Sequence, residues 1–349
     1  MTGRGVTGVM PGLILAIAVA AAAVYLSELP FPPFTLANKS HPLEPVMLAI
    51  ILGMILANAL PLPRAMAAGF KFASKRLLPL GVILLGARLD FYKIIQVGAA
   101  GAAMSVLTIL AGLGMFLLFI HFGWVKRKLG LLLGIGTTIC GGTAIVAAAP
   151  VIEADDEDVS FSVATVTLVG LIAMFALPVV GRAMNMTDWA FGVWSGLSIH
   201  QTPQVIAAGF SYSDPAGETA TIVKLARVSL LAPALVAVGW LATRGDGQAH
   251  RPKSLRGLFP VFVLGFLAMA LARTLGWLPT FNAGGRTIDV IKLCDTGSKL
   301  LIVTAMAGVG LETRFAALKK TGLRPLLLGG LAAGVIVVGV MAAIAALPK

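Results

Sequence analysis

Three stretches of the 349-residue chain carry side chains that could bind and move a small solute. The first reads Gly134-Ile-Gly-Thr-Thr-Ile-Cys-Gly-Gly-Thr-Ala-Ile-Val-Ala-Ala-Ala-Pro150. Its glycines interrupt an apolar run and free backbone N–H groups. A half-helix starting near Gly141, Gly142 and Thr143 would direct those groups and the positive end of its dipole inward, an arrangement that suits an anion. Thr137, Thr138 and Thr143 add hydroxyl donors, with Cys140 among them. The second stretch is Ser198-Ile-His-Gln-Thr-Pro-Gln204. Pro203 suits the first turn of a helix, so the residues before it read as unwound. His200, Gln201, Thr202 and Gln204 are polar in an otherwise apolar run, and lining a wet cavity relieves the cost of leaving them unpaired in lipid. His200 could titrate and couple transport to protons, or serve as a neutral donor. The third stretch places Thr221, Lys224 and Arg227 on one helical face. Counted from Glu218, Lys224 lies ~9 Å and Arg227 ~13 Å along the axis. Two cations there without a nearby acid on the same helix point to an anion-lined cavity, the plain alternatives being an ion pair with a distant acid and, for the small residues, close helix packing.

Other charged residues fit simpler roles. Lys292, Asp295 and Lys299 share a face, and Asp295 with Lys299 forms a favourable i, i+4 pair. They read either as a self-satisfied network or as part of an ion path. Glu153, Asp155, Asp156, Glu157 and Asp158 lack the glycine and oxygen spacing of an EF-hand. They read as a solvated cap on the next helix. Cys140 and Cys294 offer neither a disulfide framework nor a metal signature. With no nucleophile elbow, metal-binding cluster or nucleotide loop, no enzyme, metal or cofactor is expected, and an ATP-driven pump on this chain is disfavoured.

The elements that must hold these residues follow from composition. The chain is 58% hydrophobic and only 12% charged, with mean hydropathy +0.94. No polar shell could cover so much apolar surface, so the natural solvent is a bilayer. The net charge of +12 is spread in short clusters between apolar runs, which excludes a nucleic-acid partner. Apolar segments fall near 9–27, 44–60, 74–89, 94–121, 129–152, 159–183, 188–210, 218–243, 257–276, 286–311 and 323–347. The first lacks a cleavage site and reads as a helix rather than a signal peptide. Basic clusters at Arg64, Lys71, Lys75 and Arg76, at Lys126, Arg127 and Lys128, at Arg244, Arg251, Lys253 and Arg256, and at Arg314, Lys319, Lys320 and Arg324 fall on one side with Arg4. That side is expected to be cytoplasmic, together with the N-terminus.

The chain also echoes itself. Leu43–Leu60 aligns without gaps to Leu258–Leu275, and Gly86-Ala-Arg-Leu-Asp90 parallels Gly308-Val-Gly-Leu-Glu312. Ile145-Val-Ala-Ala148 matches Val205-Ile-Ala-Ala208, and Ala164-Thr-Val166 matches Ala220-Thr-Ile222. The expected fold is all-α: a polytopic membrane protein of about nine to eleven segments, with two inverted repeats and two broken or re-entrant helices. It would form one transmembrane domain over 1–349, with repeat-like units 43–183 and 188–347.

The run from Gly136 to Glu153, the segment Gly196–Gly209 and Val-Lys-Leu-Ala-Arg-Val at 223–228 resemble the bacterial YeiH family, whose members are often labelled sulfate exporters. The resemblance covers nearly the whole chain. It implies kinship with the cation–proton antiporter and anion transporter superfamily, and thus a multi-pass bacterial inner-membrane protein. The expected function is secondary transport of a small inorganic or sulfur-containing oxyanion, held by the residues of the first three stretches. A cation–proton antiporter using Asp295 and His200, and a non-transporting sensor, remain the rivals. Proton or sodium coupling and a homodimer are open.

Overall fold

The computed structural model of the chain describes residues 4–29, 44–89, 91–243, 261–283, 286–314 and 323–346. The helices are α1 (Arg4–Ser27), α2 (Pro45–Ala59), α3 (Ala67–Phe72), α4 (Leu78–Leu85), α5 (Phe91–His121), α6 (Arg127–Thr138), α7 (Gly142–Ala148) and α8 (Asp156–Ala183). They continue as α9 (Asp188–Ser198), α10 (Thr202–Tyr212), α11 (Asp214–Ser229), α12 (Leu231–Thr243), α13 (Val261–Thr274), α14 (Val290–Glu312) and α15 (Leu323–Ala345). Stretches Gly8–Ser27, Ile94–His121, Asp156–Ala183 and Arg324–Ala345 are each long and apolar enough to cross a membrane. A fifth crossing arises if α11 and α12, bent by 44°, are taken as one. Large apolar side chains such as Leu107, Leu110, Ile172, Val179, Leu327 and Val338 stand exposed on these helices, as lipid-facing residues do. The protein is an all-α polytopic membrane protein. Uninterrupted spans are fewer than the apolar segments partly because three segments, 129–152, 188–210 and 218–243, are each built from two shorter helices, and partly because α2 and α13 are themselves short.

Contacts divide the chain into two compact units, Met1–Ile95 with Val261–Phe315 and Gln96–Pro260 with Ala316–Lys349. In the first unit α14 packs on α2 and α4, and α1 packs on α2 and α3. The α2–α14 crossing depends on glycine. A Cβ on Gly53 would stand 2.7 Å from Ala307 O, and one on Gly310 would stand 2.4 Å from Ile50 O. Between α3 and α4 the ladder widens into a π turn, Ala73–Leu77, just before Pro79. Proline supplies no amide hydrogen and crowds the carbonyl four residues back, so the wider turn absorbs it.

A short hairpin corrects the helical reading of 286–311. Thr280–Ala283 pairs antiparallel with Arg286–Asp289, and α14 starts only at Val290. The strands flank Gly284-Gly285 in sequence, a pair favoured in two-residue hairpin connections. Asp289 then caps α14, accepting from Ile291 N at 2.9 Å.

In the second unit, α9, α10 and α11 pack on one another, α6 and α10 pack on α8, and α15 packs on α8 and α9. Ser213 caps α11 by accepting from Ala216 N at 3.1 Å, and its hydroxyl donates to Asp188 Oδ1 at 2.6 Å, which joins the starts of α9 and α11. Trp194 Nε1 donates to Val337 O at 2.8 Å and fixes α9 to α15. The acidic residues Asp156, Glu157 and Asp158 do occupy the first turn of α8, where its dipole favours them. The matched pairs of the inner echo fall at equivalent places: 145–148 in α7 and 205–208 in α10, each in the helix after a break. Leu43, Leu258, Phe259 and Pro260 of the outer echo, and Arg244, Arg251, Lys253, Arg256, Lys319 and Lys320 of the basic clusters, lie outside the described residues.

Replacing Gly310 by alanine should destabilise the protein by about 1–3 kcal/mol through overpacking at backbone. Gly334, with nothing within 4 Å of an added Cβ, should accept alanine with little change. Thermal unfolding of both variants in detergent checks the contrast; equal melting temperatures would refute the packing role of Gly310.

Candidate functional site

The site is built where two helices stop. α6 ends at Thr138, and Ile139 leaves helical geometry at φ −122°, ψ −85°. Gly141 follows at φ 69°, ψ −126°, backbone that only glycine adopts readily, and α7 then begins. α9 ends at Ser198, and both Ile199 (ψ 139°) and Gln201 (ψ 140°) are extended before α10 resumes with Pro203 in its first turn. Both breaks expected from the sequence are therefore present. They also meet: a Cβ on Gly141 would lie 2.6 Å from Gln201 Cγ.

Each break strands backbone carbonyls at a helix C-terminus, where the dipole is negative. Two side chains of α11 satisfy them. Lys224 Nζ donates to Ile139 O (2.8 Å), Ile199 O (3.0 Å) and His200 O (2.5 Å). Arg227 donates from Nη2 to Thr137 O (2.8 Å), from Nη1 to Leu197 O (2.6 Å) and from Nε to Thr138 O. Both cations are completely buried. Lys224 uses all three ammonium donors and Arg227 all three nitrogens, so each cation ties α6 to α9. The sequence placed these charges toward a ligand; in the fold their hydrogen bonds go to main chain, while their charge stays at the junction.

Polar residues of the second break face α8. Gln201 Nε2 donates to Thr167 Oγ1 at 2.6 Å, and Gln204 Nε2 to Thr167 O at 3.0 Å. Gln204 Oε1 in turn accepts from Gln201 N at 3.4 Å. Gly170 gives Gln204 its room, since a Cβ there would stand 2.1 Å from Oε1. Thr202, half-buried, opens α10. Thr138 Oγ1 bonds back to Gly134 O at 2.7 Å and Thr221 Oγ1 to Gly217 O at 2.7 Å, so neither hydroxyl proton is available to a ligand in this arrangement. Cys140 is a buried free thiol.

Two expected participants stand elsewhere. Thr143 is exposed, because the α7 face carrying Ala144, Ile145 and Ala148 is the one that packs inward. Asp295 belongs to the first unit, where its Oδ1 meets Arg88 Nη1 at 3.2 Å and its Oδ2 meets Lys299 Nζ at 3.7 Å. Lys292 is exposed on the same helix. Sequence reading missed Arg88 as the acid's partner, because no spacing links positions so far apart. It also passed over Ser162, Thr165, Thr167 and Ser198, which look like ordinary small residues in apolar helices. The alternating hydroxyls at 160–167 of α8 were the available signal. Among the described residues no group of three or more His, Cys, Asp or Glu side chains could hold a metal ion.

Comparison with known proteins places this geometry in a family. Residues 11–329 match the family model described as conserved hypothetical protein 698. The chain is 34% identical to a UPF0324 membrane protein of Bacillus cereus, across 92% of this chain and 87% of that one. It is 33% identical to the UPF0324 inner membrane protein YeiH of Escherichia coli K12, across 91% and 88%. A UPF0324 membrane protein of Nitratidesulfovibrio vulgaris is 31% identical across 93% and 90%. No solved structure matches the chain. A helical membrane protein with two interrupted helices tied at their carbonyl ends by a buried lysine and arginine, this chain belongs to the conserved hypothetical protein 698 family of UPF0324 membrane proteins.

Proposed function

We propose that the protein is an alternating-access carrier of a small inorganic or sulfur-containing oxyanion, bound at the crossing of the two breaks. The observation that carries this reading is the charge at that crossing. Lys224 and Arg227 are wholly buried there, and no carboxylate pairs with either among the described residues. The C-terminal ends of α6 and α9 offset part of the two positive charges, each contributing about half a negative charge. About one unit of positive charge is left over, and the start of α10 adds to it. Interrupted backbone within a bilayer is tolerated where it lines a cavity or is enclosed by protein, and paired broken helices are a recurrent way to build a carrier site. The residues that frame the proposed site are Thr137, Thr138, Cys140, Gly141, Gly142, His200, Gln201, Thr202, Gln204, Lys224 and Arg227.

The inner echo, with each matched segment following a break, supports a duplicated unit whose halves, 43–183 and 188–347, are related by inversion. The Escherichia coli relative is named an inner membrane protein, and the same location is proposed here, with the N-terminus cytoplasmic. The rival reading as a cation–proton antiporter draws no comparable support, since Asp295 is engaged by Arg88 and Lys299.

Flux of labelled sulfite and sulfate into proteoliposomes, against labelled sodium, tests the carrier. The wild-type protein should move an oxyanion and not sodium; sodium flux without anion flux would reverse the assignment. Lys224→Gln and Arg227→Gln remove charge while keeping amide donors for some of the carbonyls, and each should reduce anion flux by at least about a hundredfold, matching roughly 3 kcal/mol for leaving a buried anion without its compensating charge. Wild-type flux in both would defeat the electrostatic argument. Asp295→Asn, in a partly exposed pair, should cost at most about 1 kcal/mol of stability and leave anion flux intact, as read by thermal unfolding beside the same flux assay.

A further inference from the structure

Six buried side-chain atoms lack a hydrogen-bond partner among the described residues: Thr137 Oγ1, Ser162 Oγ, Thr165 Oγ1, Ser198 Oγ and both ring nitrogens of His200. All six belong to α6, α8 and the α9–α10 break. Buried polar atoms are nearly always satisfied, so the unanswered groups that flank the two breaks, on Thr137, Ser198 and His200, mark a position where something polar binds. Common tethers hold the residues together. Arg227 bonds the carbonyls of Thr137 and Leu197, the neighbour of Ser198, and Lys224 bonds the carbonyl of His200 itself.

The chemistry of these groups narrows what they can take. The threonine and serine hydroxyls can donate to an anion. A neutral imidazole presents one donor and one acceptor, so its second nitrogen calls for a ligand that itself carries a hydrogen. Lys224 has no donor left to form a direct ion pair, as its three hydrogens are committed to Ile139, Ile199 and His200 carbonyls. The charged groups acting on His200 are Lys224 and Arg227 of α11, with the Cys140 thiol beside Lys224. Two helix C-termini offset part of that charge and the start of α10 adds to it, so the junction keeps a net positive charge that suits an anion. A fully deprotonated dianion such as sulfate carries no O–H for the second imidazole nitrogen.

We infer that the site selects a singly charged oxyanion that keeps one O–H, of the hydrogensulfite or bicarbonate type, over a dianion such as sulfate. The O–H donates to the acceptor ring nitrogen of His200, and the anion's oxygens accept from the hydroxyls of Ser198 and Thr137. This inference rests on the carrier reading above and names the protonation and charge of its substrate.

Titration calorimetry on the purified full-length protein tests it with four probes: hydrogensulfite, bicarbonate, nitrate (one charge, no O–H) and sulfate (two charges). Each is used in a buffer where the named ion dominates. Hydrogensulfite and bicarbonate should bind at least about tenfold more tightly than nitrate or sulfate, the discrimination expected when one buried polar group is left unpaired. The small changes Ser198→Ala and Thr137→Val should each weaken hydrogensulfite about tenfold, and His200→Leu should abolish the preference over nitrate. Sulfate or nitrate binding as tightly as hydrogensulfite would overturn the inference and leave the carrier reading in place. Parent-like hydrogensulfite affinity in all three variants would likewise overturn it, whereas failure of every probe to bind would remove both.

Discussion

The second unit depends on six carbonyl oxygens finding donors. Where α6 and α9 end, backbone acceptors face no following turn, and at membrane depth no bulk water replaces it. Lys224 and Arg227 supply the donors from a single helix, each reaching both breaks. Hydrogen bonds from a charged group are worth about 1.5–3 kcal/mol each, so the two side chains outweigh much of their own desolvation. The positive charges also sit against the negative ends of two helix dipoles. Cation and break are thus mutually dependent. Without the breaks the cations would be uncompensated, and without the cations the breaks would strand their carbonyls.

This arrangement places local irregularity under tight control. Gly141 adopts a conformation that a side chain would oppose, and its missing Cβ is what lets Gln201 approach. Gln201 and Gln204 are then held by Thr167 of α8 rather than by each other alone. α8 is unbroken through this region and serves as a straight edge against which both interruptions are aligned. Every polar group of the second break's glutamine pair has a purpose in that alignment. The groups that do not, His200 above all, stand out for that reason.

The first unit follows different physics. Its close crossing of α2 and α14 uses Gly53 and Gly310 to bring backbones together, the usual route to helix association where lipid is no worse a solvent than a leucine side chain. Its charged residues, Arg88, Asp295 and Lys299, are paired and partly exposed. The wholly buried, carbonyl-bonded cations of the second unit differ from them in both respects.

Hydropathy alone determined the class of this protein: apolar runs of this length and number can be stable only in a bilayer, and a bilayer demands helices that satisfy their own backbone. Glycine and proline chemistry determined the two breaks, at Gly141 and before Pro203, because both residues act through local geometry that survives in any fold. The hairpin strands at 280–283 and 286–289 escaped notice because they are short and the second occupies the start of an apolar segment whose remainder is helical. What Lys224 and Arg227 touch could be decided only in three dimensions. Spacing on α11 shows that they share a face, yet their partners lie 24 to 90 positions away along the chain. The same holds for Arg88 with Asp295, and for Ser198 and Thr165, whose hydroxyls are ordinary in sequence and conspicuous only once burial reveals that none of the described residues answers them. Local conformation is written in neighbouring residues, whereas the satisfaction of buried polar groups is a property of the packed whole.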